Sequence, residues 1–192
     1  NSEYLPADDK VSLIQALGYQ GCYEEGWRLT KESSYVNLPL ADLLELCIYS
    51  IDKLNGVQDD FVIESAATST EEIWGAVGNP IYSPAREELT KHGIGRTAYT
   101  DFSKKRARQV TRSDYAKYDY ILCADVNNIR NTKRITGGDP DDKIGLMLDI
   151  PTPTGRNISD PWYTGDFVEA YNDVKYACIN LLEYLGYNTN II

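Results

Sequence analysis

The chain has 192 residues with 42% hydrophobic and 25% charged content, enough for one domain with a full core. A formal net charge of −10 at pH 7 argues against a nucleic-acid partner, because a phosphate backbone demands clustered Lys and Arg. No apolar run reaches the length of a membrane span and no signal peptide is read, so no membrane partner is expected.

The cysteines Cys22, Cys47, Cys123 and Cys178 are widely scattered, no Cys-x-x-Cys pair occurs, and His92 is the single histidine. That pattern disfavours a structural zinc site and a Ser-His-Asp triad. The expectation is no metal, no cofactor, and free thiols in a reducing cytoplasm. The basic run Lys104-Lys105-Arg106-Ala107-Arg108 reads as a solvated face.

In chain order, Val11, Ile14 and Leu17 before Gly18 suggest one short helix. Residues 1–30 read as an N-terminal extension and residues 31–192 as the domain. Leu40, Leu43, Leu44, Cys47, Ile48, Ile51 and Leu54 recur at helical spacing, opened by Pro39 and closed near Gly56. Phe61-Val62-Ile63 predicts a short strand. Ser83-Pro84 opens a helix that ends at His92-Gly93, and Thr111 or Ser113 opens another through Tyr118. Tyr120 to Ala124 reads as a buried strand, followed by a helix from about Asn127. Gly137-Gly138-Asp139-Pro140 is a turn, and Ile144 to Leu148 the next strand. A long helix carries Tyr171, Val174, Ala177, Cys178, Leu181, Leu182 and Leu185 on one face, with Gly186 as its stop. Strands separated by helices imply parallel pairing. The predicted fold is α/β: a three-layer, doubly wound sheet of four mostly parallel strands with helices on both faces, which binds ligands beyond the carboxyl ends of its strands.

Several pieces arrive together in one order. Pro39-Leu40-Ala41-Asp42 comes first, then Ile63-Glu64-Ser65-Ala66-Ala67-Thr68, Gly78-Asn79-Pro80, Lys91-His92-Gly93-Ile94 and Ala107-Arg108-Gln109-Val110-Thr111. Asp119 to Asp125, Asn128-Ile129-Arg130 and Asp160-Pro161-Trp162-Tyr163 complete the series. From about Leu38 to Tyr187 the chain resembles the low molecular weight protein tyrosine phosphatases. The resemblance implies hydrolysis of a phosphotyrosine monoester through a cysteinyl phosphate, with an aspartic acid protonating the leaving phenol and then activating water. It implies that Asp160 is the general acid and that Ser65 supports the phosphate loop. Trp162 and Tyr163 would form the substrate wall. Trp74, in a Trp74-Gly75-Ala76-Val77 insertion, would join them at the mouth. The implied partners are a phosphorylated protein or a small aryl phosphate.

The family's Cys-x5-Arg loop falls at Lys31-Glu32-Ser33-Ser34-Tyr35-Val36-Asn37. Lys31 has no nucleophilic sulfur, and Asn37 cannot make a charged bidentate fork. Leu38 replaces the family serine before Pro39. Ser33 and Ser34 remain as hydroxyls at the loop position. A Cys-x5-Arg spacing does occur at Cys22 and Arg28. Against it stand Glu24 and Glu25, which repel phosphate, and the bulk of Tyr23 and Trp27.

Four readings stay open. One is an active phosphatase using Cys22 as nucleophile and Arg28 as phosphate clamp. Another is a catalytically dead phosphoprotein-binding or regulatory module. A third is an arsenate reductase of the same fold, which needs resolving thiols nearby. In the fourth, residues 1–37 are not the native start, since the family pattern sets in at Leu38. His92 reads as structural, near a helix C-terminus.

Overall fold

The computed structural model describes residues 57–73 and 75–189. The helix expected over residues 40–54 and the expected domain boundary at residue 30 lie outside the described residues. Helix α1 spans Ser83–Lys91, with proline in its first turn where the missing N–H costs nothing. Ala85, Glu88 and Leu89 face inward at helical spacing. His92 caps its end and sits flat against Tyr171 with ring centroids 3.7 Å apart. Its Nε2 also lies 3.1 Å from Glu88 Oε1, so His92 is structural, as expected.

Helix α2, Arg112–Lys117, is opened by Thr111 rather than Ser113. The Thr111 N–H and hydroxyl both donate to Asp114 Oδ2, at 2.7 and 2.9 Å. Strand β1 (Ile121–Cys123), helix α3 (Val126–Thr136) and strand β2 (Ile144–Leu146) follow as one βαβ unit. β1 and β2 pair in parallel, with Ile121 beside Ile144 and Cys123 beside Leu146. Asp125 caps α3 by accepting the Asn128 N–H at 2.7 Å, and Gly137 ends it at φ 88°, where a side chain would be strained.

β2 is shorter than predicted. At Met147 the chain turns into a 3-10 segment, Met147–Asp149, that buries Met147 and Leu148 together. Of the four predicted strands, the described residues carry these two, plus an isolated parallel bridge between Ala67 and Gln109. Phe61–Ile63 has no ladder among the described residues, and Val62 is 72% exposed. The α/β class and the parallel pairing stand as predicted.

A short helix and a long one follow. Helix α4, Pro161–Thr164, was not legible in the sequence. Helix α5, Phe167–Tyr184, buries Ala170, Asp173, Val174, Ala177, Cys178 and Leu182, and Gly186 turns out of it at φ 90°. This face meets Leu89, Ile94, Met147, Leu148 and Ile158 in the core. Gly78 packs so tightly that an added Cβ would lie 1.9 Å from the Ala107 carbonyl oxygen. The expectation of free thiols holds at Cys123 and fails at Cys178, which is disulfide-bonded. Burial pushes the Cys123 thiol up to about 11, so it is inert at neutral pH.

Leu148 is 1% exposed at the centre of this core. Leu148→Ala is expected to cost about 2–5 kcal/mol, through lost transfer energy and a residual cavity. Chemical denaturation checks it, read as a lower midpoint at unchanged slope.

Candidate active site

The carboxyl end of β1 organises the region. The Ile158 N–H donates to the Ala124 carbonyl at 2.9 Å, and Ile158 is buried. This bond brings the loop after β2 back across the strand end, where ligands of open α/β sheets gather. Asp160 follows two residues later and caps α4. Its Oδ1 accepts the Trp162 N–H at 2.9 Å, and its carbonyl accepts from Tyr163 and Thr164, both at 3.1 Å. Pro161 fixes the first turn and Gly165 stops the helix at φ 73°.

Burial pushes the half-buried Asp160 carboxyl up to about 6, and the charge of Asp125 adds to the rise. The Trp162 N–H pulls the other way and loses. A carboxyl poised there can donate a proton at mildly acidic pH and accept one just above it. Trp162 is half-buried, while Tyr163 is 41% exposed. The Trp162 ring meets Tyr82 edge-on, with centroids 5.1 Å apart.

Ser65 is half-buried and lines a groove of about 610 Å³ with Arg108, Lys117, Tyr118, Cys123 and Leu182, whereas Asp160, Trp162 and Tyr163 do not line it. Its turn is built by the segment that follows α1. The Ala67 N–H donates to Arg108 at 2.8 Å and the Val110 N–H donates to Ala67 at 2.9 Å. Arg108 bonds Glu64 at 3.1 Å and Asp114 at 3.0 Å, and Lys117 bonds Glu64 at 2.7 Å. The Lys117 bond, aided by Arg108, holds the Glu64 carboxyl below its usual range. Arg108 is therefore no solvated residue, unlike the exposed Lys104 and Arg106 of the same run. Sequence reasoning missed this role, and no local signal carries it, since Glu64 stands 44 residues away. It also missed Asp125, which the cap position directly after β1 could have flagged.

Cys22, Arg28, Lys31, Ser33, Ser34, Asn37 and Trp74 lie outside the described residues. Among the described residues no group of acidic, histidine or cysteine side chains could hold a metal ion, and no helix is long and apolar enough to cross a membrane.

Residues 42–190 match the family model described as low molecular weight phosphotyrosine protein phosphatase. The chain belongs to this phosphatase family. A relative from Rattus norvegicus, the low molecular weight phosphotyrosine protein phosphatase, is 36% identical over 131 residues, covering 66% of this chain and 76% of that one. Among solved structures, YfkJ from Bacillus subtilis superposes with a TM-score of 0.65 at 25% identity, over 78% of this chain and 88% of that one. SP-PTP, a low molecular weight protein tyrosine phosphatase from Streptococcus pyogenes, gives 0.60 at 30% identity, over 76% and 86%. The family match begins at residue 42.

In this phosphatase-family fold the raised Asp160 carboxyl has a stability signature. Between the ordinary value of 3.8 and about 6 the folded chain binds more protons than the unfolded one. The Asp160 contribution is thus fully present below 3.8 and is lost as pH rises through about 6. Asp160→Asn keeps an oxygen for the cap and removes the charge. The variant is expected to melt roughly 2–4 °C above the wild type near pH 7.5, for about 1 kcal/mol, with the gap closing near pH 4. Paired thermal melts across that range check it.

Proposed function

We propose that this chain recognises phosphotyrosine in proteins, or a small aryl phosphate, with hydrolysis reduced to a trace. The observation that carries the reading is Asp160, held at the carboxyl end of β1 with a carboxyl near 6 and with the exposed ring of Tyr163 three residues on. That is the placement expected of a general acid beside an aromatic wall. The protonated carboxyl would donate to the leaving phenol oxygen. The carboxylate left behind would take a proton from water. Residues 31–37 do not supply the other half of the reaction. Lys31 brings no thiolate to attack phosphorus, and Asn37 no guanidinium to clamp the equatorial oxygens. Family membership supports the substrate class, namely phosphorylated proteins and aryl phosphates.

A second reading rests on Cys22 and Arg28, whose spacing fits the family's loop. Hydrolysis of a chromogenic aryl phosphate at mildly acidic pH separates the two. The expected rate is roughly 10⁴-fold or more below ordinary enzymatic turnover, as for enzymes stripped of their nucleophile. Binding of a phosphotyrosine peptide, weakened by Tyr163→Ala, should remain measurable. Robust turnover abolished by Cys22→Ser would overturn the proposal and assign nucleophile and clamp to Cys22 and Arg28.

A further inference from the structure

We infer that Tyr82 is a positioning residue whose ring latches Trp162 and so fixes the Asp160–Tyr163 turn in its ligand-facing shape. The inference rests on reading that turn as the acid-bearing wall of the site. Helix α4 has four residues, too few to hold itself in water. Its exit, Tyr163 to Asp166, is exposed, and the bonds from the Gly165 N–H to the Pro161 carbonyl and from the Asp166 N–H to the Thr164 hydroxyl are local ones that shape the turn without fixing it to the core. The turn therefore depends on what its inward residues touch. Pro161 is buried, and Trp162 lies edge-on to Tyr82 at 5.1 Å and 60°. The same Tyr82 ring lies 6.2 Å from Phe167, the first residue of α5. One ring thus touches both ends of the exposed stretch.

Tyr82 is well placed to be the fixed member. It directly precedes α1, and its neighbour Ile81 is 7% exposed. Edge-to-face packing is directional, so it selects one indole orientation instead of merely burying area. Because adjacent helical residues sit about 100° apart, fixing Trp162 toward Tyr82 turns Tyr163 away from the latch. Trp162 would then serve as the anchor of the wall and Tyr163 as its ligand face. The Asp160 carboxylate, bonded to the Trp162 N–H, inherits the same placement.

Trp27→Phe and Trp74→Phe leave Trp162 as the sole tryptophan of the three. In that background Tyr82→Leu should shift the balance between packed and released indole by roughly 2- to 10-fold, the worth of one aromatic pair. Acrylamide quenching and near-ultraviolet circular dichroism of Trp162 read the shift, and Tyr82→Phe should restore the wild-type signal. Affinity for a phosphotyrosine peptide should fall with Tyr82→Leu and return with Tyr82→Phe. In the unmodified protein, nuclear Overhauser contacts between the Tyr82 ring and the Trp162 indole are expected, and this measurement decides even where Tyr82→Leu fails to fold. Missing contacts, or unchanged quenching in a folded Tyr82→Leu variant, would overturn the latch. A released Trp162 with unchanged peptide affinity would overturn its link to ligand. Absence of peptide binding by the wild type would instead sink the functional reading, with the Trp162 signals still judging Tyr82.

Discussion

The site depends on one backbone hydrogen bond, from the Ile158 N–H to the Ala124 carbonyl. It acts with the burial of Ile158 in the core and with the Arg156 guanidinium, which bonds both oxygens of Asp173, to return the segment after Asp149 across the end of β1. With it, two acidic residues arrive at one edge. Asp125 is the next residue after Ala124, and Asp160 comes two after Ile158. Each caps a helix, Asp125 at α3 and Asp160 at α4. A cap favours the ionised carboxylate, because the helix N-terminus carries partial positive charge. Burial and a neighbouring carboxylate favour the neutral acid. At Asp160 burial wins, which is why a residue that looks like an ordinary Asp-Pro turn titrates near 6. The four-residue α4 offers little dipole to oppose it.

The Ser65 turn answers to a different constraint. Arg108 holds Glu64 with one nitrogen and Asp114 with the other, so the turn, the bridge at Ala67 and the start of α2 share one cation. Burial alone would raise the Asp114 carboxyl, but bonds from Arg108 and Thr111 lower it instead. A guanidinium suits this role because its planar fork can serve two carboxylates at once. The two halves of the candidate site are thus fastened independently, one by a backbone bond at the strand end and one by a charged fork.

Much of the fold was legible where a local rule and the tertiary outcome agree. Helices α1, α3 and α5 follow inward residues at helical spacing and stop at Gly93, Gly137 and Gly186, and α2 starts from the Thr111 hydroxyl. Strands were less legible, because a ladder needs a partner that local propensity does not name. Phe61–Ile63 reads as strand by composition and has no ladder among the described residues, and the run to Leu148 leaves the sheet at Leu146. In the site, Asp160-Pro161-Trp162-Tyr163 was visible as a motif. The residues that set its properties were not. Asp125 acts by charge across the strand end, Tyr82 by ring contact, and Arg108 through a carboxylate 44 residues back. Each is a product of topology, which a linear pattern does not carry.

The Asp160 turn and the Ser65 turn are held by different contacts, which bears on how a fold of this kind divides its tasks. Among the described residues the Asp160 turn is held through Ala124, Ile158, Pro161, Trp162 and Tyr82. Loss of the nucleophile removes the covalent step without removing the proton donor or the aromatic face. Ground-state recognition relies on that face and on polar contacts, whereas rate relies on groups that act only in the transition state. A family member altered in the loop alone is thus altered in turnover far more than in the capacity to hold an aryl ring.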